Sequence, residues 1–75
     1  MERYKNIDGD SGVMAYEIGN DSITVQFSTG AIYLYTCQSA GEANIEQMKQ
    51  LAIAGNGLNS FIMRVVKKSY ARRIQ

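Results

Sequence analysis

The chain has 75 residues, 45% of them hydrophobic and 20% charged, with a formal net charge of +1. That allows one domain, and it excludes both a disordered polyelectrolyte and a supercharged polyanion binder. Histidine, tryptophan and proline are absent and Cys37 is the single cysteine. A disulfide framework within the chain, Cys/His zinc sites and every nucleophile activated by histidine are therefore excluded.

In chain order, residues 1–11 are polar and carry Asp8-Gly9-Asp10-Ser11, a composition that packs poorly and reads as a flexible leader to a single domain over residues 12–75. No apolar signal-peptide core follows Met1, and the longest apolar runs, Ala31 to Tyr35 and Leu51 to Ala54, fall far short of a membrane span. With one unpaired cysteine, a cytoplasmic location is the expectation. Asp8-x-Asp10-x-Gly12 has the beginning of a calcium loop, but the bidentate acid such a loop requires falls on Gly19, so no metal is expected.

Three strands follow: Val13 to Ile18, Ser22 to Phe27 and Ala31 to Thr36, separated by Gly19-Asn20-Asp21 and Ser28-Thr29-Gly30. The middle strand alternates strictly, with Ile23, Val25 and Phe27 on one face and Thr24 and Gln26 on the other. The second turn decides the faces of the third strand. If Thr29-Gly30 is a two-residue turn, Phe27 meets Ile32 and Val25 meets Leu34, and the tyrosines point away from the core. If the loop is Ser28-Thr29-Gly30, Val25 meets Tyr33, Ile23 meets Tyr35, and both rings are in the core. The first register is preferred because it gathers Ile23, Val25, Phe27, Ile32 and Leu34 on one face.

After Thr36 the period lengthens. Ser39-Ala40-Gly41-Glu42 reads as a capping box that starts a helix with Ile45, Met48, Leu51 and Ala52 on its inner face, stopped by Gly55. A second helix, capped by Asn56 or Asn59, carries Leu58, Phe61, Ile62, Val65 and Val66 and extends to Tyr70. The expected fold is α+β, a three-stranded antiparallel meander with two helices packed on one face (βββαα).

Two spacings in this frame, Phe27-x-x-Gly30-x-x-Tyr33-x-Tyr35 and Gly55-x-x-Leu58-Asn59-x-x-Ile62, resemble the KTSC domain. That short module occurs at the C-terminus of some lysyl-tRNA synthetases and as stand-alone small proteins. The resemblance spans Gly12 to Tyr70. It departs from the family at Gln38-Ser39, where a valine-proline pair is common, at Gly57, where an aromatic is common, and at Met63, where a basic residue often follows the isoleucine. What it implies is limited: the family's function is unknown, with RNA binding suggested by its attachment to a tRNA-charging enzyme.

Charge is strongly segregated: residues 1–46 sum to −5, whereas residues 47–75 hold six cations, no acid and a charge of +6. On a continuous helix Arg64, Lys68 and Arg72 would align at every fourth position beside Lys67, a stripe able to follow phosphates. The plain alternative is a solvated helix face that complements the helix C-terminus. In the preferred register Tyr33 and Tyr35 lie beside Thr24 and Gln26, where their rings could stack bases; the plain alternative is cross-strand packing. The expected function is therefore a non-catalytic RNA-binding module acting through Arg64, Lys67, Lys68 and Arg72 with Tyr33 and Tyr35, and no cofactor. The competing expectation is a protein-interaction or homo-oligomerisation module whose basic stripe meets the acidic half of a second copy. Gly55-Asn56-Gly57 is read as a cap and tight turn rather than an anion site, and Cys37 as a packed thiol with nothing to activate it. No carboxylates pair at a catalytic spacing.

Overall fold

Alternating Val13–Ile18, Ser22–Phe27 and Ile32–Thr36 form the centre of an antiparallel sheet in the computed structural model, which describes residues 1–5 and 12–75. These three strands are β2, β3 and β4. Glu2–Arg3 adds β1 beside β2, and Arg72–Arg73 adds β5 beside β4, so the sheet runs β1-β2-β3-β4-β5 in sequence order. The chain is thus α+β, with the expected meander enlarged by a short strand at each edge.

The N-terminal residues depart from the expected leader. Glu2 pairs with Tyr16 and Arg3 with Ala15, and Tyr4 is buried with its hydroxyl accepting the Leu58 N–H at 3.2 Å. Charged Glu2 and Arg3 carry no strand signal; the unpaired edge of β2 captures them, and Tyr4 behind them enters the core. The remaining leader residues, 6–11, and with them the carboxylates of the rejected calcium loop, lie outside the described residues.

The register of β3 and β4 also differs from the preferred one. Val25 pairs with Tyr33 and Ile23 with Tyr35. The Phe27 N–H donates to Ala31 O at 2.8 Å and the Gly30 N–H to Phe27 O at 2.9 Å, which closes a loop of Ser28-Thr29-Gly30. Gly30 sits at φ 96, a conformation glycine adopts without penalty and one that suits a three-residue hairpin loop. Tyr35 is consequently in the core at 1% exposure. A bulge between Val13 and Ala15 in β2 lets both Val13 and Tyr16 face inward, though they stand three residues apart.

The helical half begins earlier than the sequence pattern indicates. Thr36 and Ser39 form a reciprocal capping box, Ser39 N–H to Thr36 Oγ1 at 3.1 Å and Thr36 N–H to Ser39 Oγ at 3.0 Å, over a short helix α1, Cys37–Ala40. Ser39 therefore caps α1 instead of starting the long helix. Gly41, at φ 97, breaks the chain before α2, Glu42–Ala54, which has no side-chain cap. Ile45, Met48 and Ala52 of α2 are buried against the sheet. Lys49 bridges its outer side to the β2–β3 turn, its Nζ donating to Asn20 O at 2.9 Å and pairing with Glu46 at 3.7 Å.

Gly55 ends α2 in the left-handed conformation, as expected. Gly57, rather than either asparagine, stands at the N-cap of α3, Leu58–Phe61, which continues into a π-helical stretch, Ile62–Val66. Helix then ends. Ser69 N–H donates to Val66 O at 2.8 Å, and the chain turns to reach the free edge of β4, where Ala71 N–H donates to Leu34 O at 2.7 Å. The expected helix to Tyr70 is cut short because sheet bonding satisfies the backbone beyond it.

Gly55 is the corner on which this arrangement turns. A Cβ there would stand 2.5 Å from Lys5 Cβ, at a backbone φ of 76. Gly55→Ala should cost about 1–3 kcal/mol of stability from the left-handed strain alone, with a further contribution from displacing Lys5. Urea unfolding monitored by circular dichroism measures it, and a change within 0.5 kcal/mol would contradict the left-handed strain at this corner.

Candidate nucleic-acid interface

The register that buries Tyr35 also places Tyr33 on the helix-covered side, half-buried at the margin of the core. Phe27 meets the Tyr33 ring edge-on at 5.7 Å between centroids, and Tyr70, delivered by the turn after the π-helical stretch, lies 4.7 Å from it at a 47° tilt. Tyr70 also meets Tyr35 nearly perpendicular at 6.3 Å. On β5, Arg73 pairs with Tyr33 in the register and sets its guanidinium 5.7 Å from the ring centroid, the geometry of a cation–π contact.

Between these rings and the π-helical stretch runs a groove of about 430 Å³. Phe27, Tyr33, Tyr35, Tyr70, Ile62 and Met63 form its apolar lining, and Lys67 and Lys68 line it with positive charge. Both lysines are exposed, and neither is ion-paired to a described carboxylate. The π-helical stretch ends at Val66, so both lysines fall in the turn that opens onto the groove. The Tyr35 hydroxyl donates to no described group, yet among the described residues no buried side-chain oxygen lacks a partner; its tip therefore reaches the groove. Burial of the ring, then the neighbouring Tyr33 and Tyr70, push its pKa up to about 12.

Of the residues expected to bind nucleic acid, four converge here: Lys67, Lys68, Tyr33 and Tyr35. Two do not. Arg64 lies back along its own helix, Nε donating to Ser60 O at 3.4 Å, and Arg72 is on β5 opposite Leu34, on the other face of the sheet. The continuous stripe at every fourth residue does not exist, because Arg64 and Arg72 belong to different elements. Nor do the tyrosines lie beside Thr24 and Gln26, which face the opposite side. Phe27, Tyr70 and Arg73 join the site without having been singled out. The sequence pattern places Phe27 in the core and Tyr70 at the end of a helix, with Arg73 beyond it.

A second groove, of about 510 Å³, lies at the other edge, lined by Met1, Ile18 and Ile53 together with Glu2 and Glu17. Glu2 and Glu17 are the charged side chains of this second groove, whereas Lys67 and Lys68 are those of the first. Among the described residues no cluster of His, Cys, Asp and Glu could hold a metal ion, and no helix is long and apolar enough to cross a membrane. No family model, curated protein or solved structure matches the chain.

The Tyr35 shift carries a sign. Its phenol keeps its proton in the folded chain after the ordinary value of 10.0 has been passed, up to about 12. The unfolded chain then binds fewer protons than the folded one, and stability falls as pH rises. The stability contribution is whole below pH 10 and declines from there toward 12. Absorbance titration of the phenolates should show one ring ionising near pH 12 that is missing in Tyr35→Phe, and that variant should lose part of the alkaline decline in melting temperature. Identical titration curves for the two proteins would contradict the buried placement.

Proposed function

We propose that this chain is a non-catalytic module that binds RNA, in a cytoplasmic setting suited to its unpaired thiol. The observation that supports it is the convergence of Lys67 and Lys68 with Tyr33, Tyr35 and Tyr70 on one groove. An aromatic lining accepts the face of an unstacked base whatever its identity, and lysines at the rim neutralise the adjoining phosphates. Arg73 over Tyr33 extends the positive rim along β5. The binding mode is therefore a single-stranded segment lying along the turn between the π-helical stretch and β5, with one base held in the groove. The resemblance to the KTSC module, attached in some proteins to a tRNA-charging enzyme, points the same way, and membership of that family is part of the proposal.

Arg64 and Arg72 stand apart from the groove and contribute through the general field. A self-association role is the second reading, favoured by the uncovered face of the sheet. The two are compatible, since the groove opens on the helix-covered side.

Fluorescence anisotropy with a labelled single-stranded RNA, read between about 50 and 200 mM salt, tests the proposal. Each phosphate contact to a single strand contributes a slope of about 0.7 in log affinity against log salt, so Lys67→Gln/Lys68→Gln should lower the slope by about 1.4. Arg64→Gln should leave it nearly unchanged. Absence of binding at the lower salt, or equal slopes for the double variant and the parent, would remove the RNA reading.

A further inference from the structure

The side of the sheet away from the helices is ordered in rows across the strands. Register places Glu17 of β2, Thr24 of β3, Leu34 of β4 and Arg72 of β5 in one row, and Arg3 of β1 with Ala15, Gln26 and Ile32 in the next. Ile74, whose N–H donates to Ile32 O at 2.7 Å, extends the second row. Alternation along each strand sends these residues to the face opposite Val25, Tyr33 and Tyr35. Ile32 and Leu34 accordingly take no part in the core that Ile45, Met48, Ala52, Leu58, Ile62 and Val66 build on the other side. The uncovered face thus carries Ile32 and Leu34 at β4, Glu17 at β2 and Arg72 at β5, with Arg3 of β1 at the outer margin beyond β2. Glu17 and Arg72 are both exposed, and neither has an ion-pair partner among the described residues.

We propose that this face packs against the same face of a second copy, about a two-fold axis running along the strands between β3 and β4. Such an axis exchanges β3 with β4 and β2 with β5 between copies. It sets Glu17 of each copy opposite Arg72 of the other, and Ile74 opposite Ala15. Leu34 and Ile32 meet Thr24 and Gln26 and gather with their own counterparts at the centre. Sheets stacked face to face lie about 10 Å apart, a gap that Leu, Ile and Arg side chains fill from both sides. The two charged ends select this operation. A two-fold axis across the strands would instead set Glu17 against Glu17 and Arg72 against Arg72, and like charges in an interface are strongly disfavoured. The result is an isologous, closed dimer with an aliphatic centre and two symmetric ion pairs at its rim. It requires nothing of the RNA groove, which remains outside on each copy.

Sedimentation equilibrium from about 10 µM to about 1 mM, the range in which a small interface associates, provides the test. The parent chain should dimerise within it. Glu17→Arg and Arg72→Glu, both at exposed positions and checked for fold by circular dichroism, should each weaken association on the order of tenfold. An equimolar mixture of the two variants should recover the parent affinity, because in the mixed pair every introduced charge meets its opposite. A parent chain that stays monomeric throughout overturns the proposal. So does a mixture that associates no better than either variant alone.

Discussion

One hydrogen-bonded turn governs the distribution of side chains in this protein. The Phe27 N–H bound to Ala31 O closes a three-residue loop, and a strand that leaves such a loop has its inward and outward residues settled for its whole length. With Tyr33 and Tyr35 inward, the core receives two rings in place of two aliphatic chains. The groove is then aromatic where it meets the lysines, and Ile32 and Leu34 are left on the uncovered side. Slipping the pairing by one residue would exchange all of these at once: an aliphatic core, exposed tyrosines, and no cavity of the present composition. The aromatic groove on one face and the aliphatic surface on the other follow from the same bond.

The second organising contact joins the ends of the chain. Tyr4 and Leu58 are 54 residues apart, and the hydroxyl of one accepts the first free N–H of a helix that has no capping side chain of its own. A helix of four residues continued by a π-helical stretch has little intrinsic stability; it is held by Leu58, Ile62 and Val66 in the core and by this distant oxygen. Because the π-helical stretch leads directly into Lys67 and Lys68, the position of the basic rim depends on a residue near the opposite end of the sequence.

Much of the central architecture was legible in the residues. Ser22–Phe27 alternates without exception, glycine-bearing turns bound the meander, and Gly55 marks the end of α2. The register was not legible, because Ile32 and Leu34 are as able to face a core as Tyr33 and Tyr35, and an apolar count cannot separate the two. The edge strands escaped for a related reason: two charged residues have no pattern, and only an unpaired neighbouring strand makes them extended. Spacing at every fourth residue across Arg64, Lys68 and Arg72 imitates a helix face, yet the bonds available along β4 outweigh it beyond Val66. Lys67, Lys68 and Tyr33 were found as a charge cluster and an aromatic motif. Tyr70 and Arg73 became partners of Tyr33 only once the chain turned back.

The four residues that make up the two outermost strands, Glu2, Arg3, Arg72 and Arg73, are all charged, and each strand is two residues long. A foreign strand approaching either margin would find few free backbone groups, and would have to strip water from ionised side chains to reach them. Lateral growth into ribbons or cross-β fibres is therefore discouraged at both ends of the sheet. A particle of this size, with aliphatic residues open on one side, can afford that exposure because its margins do not invite accretion.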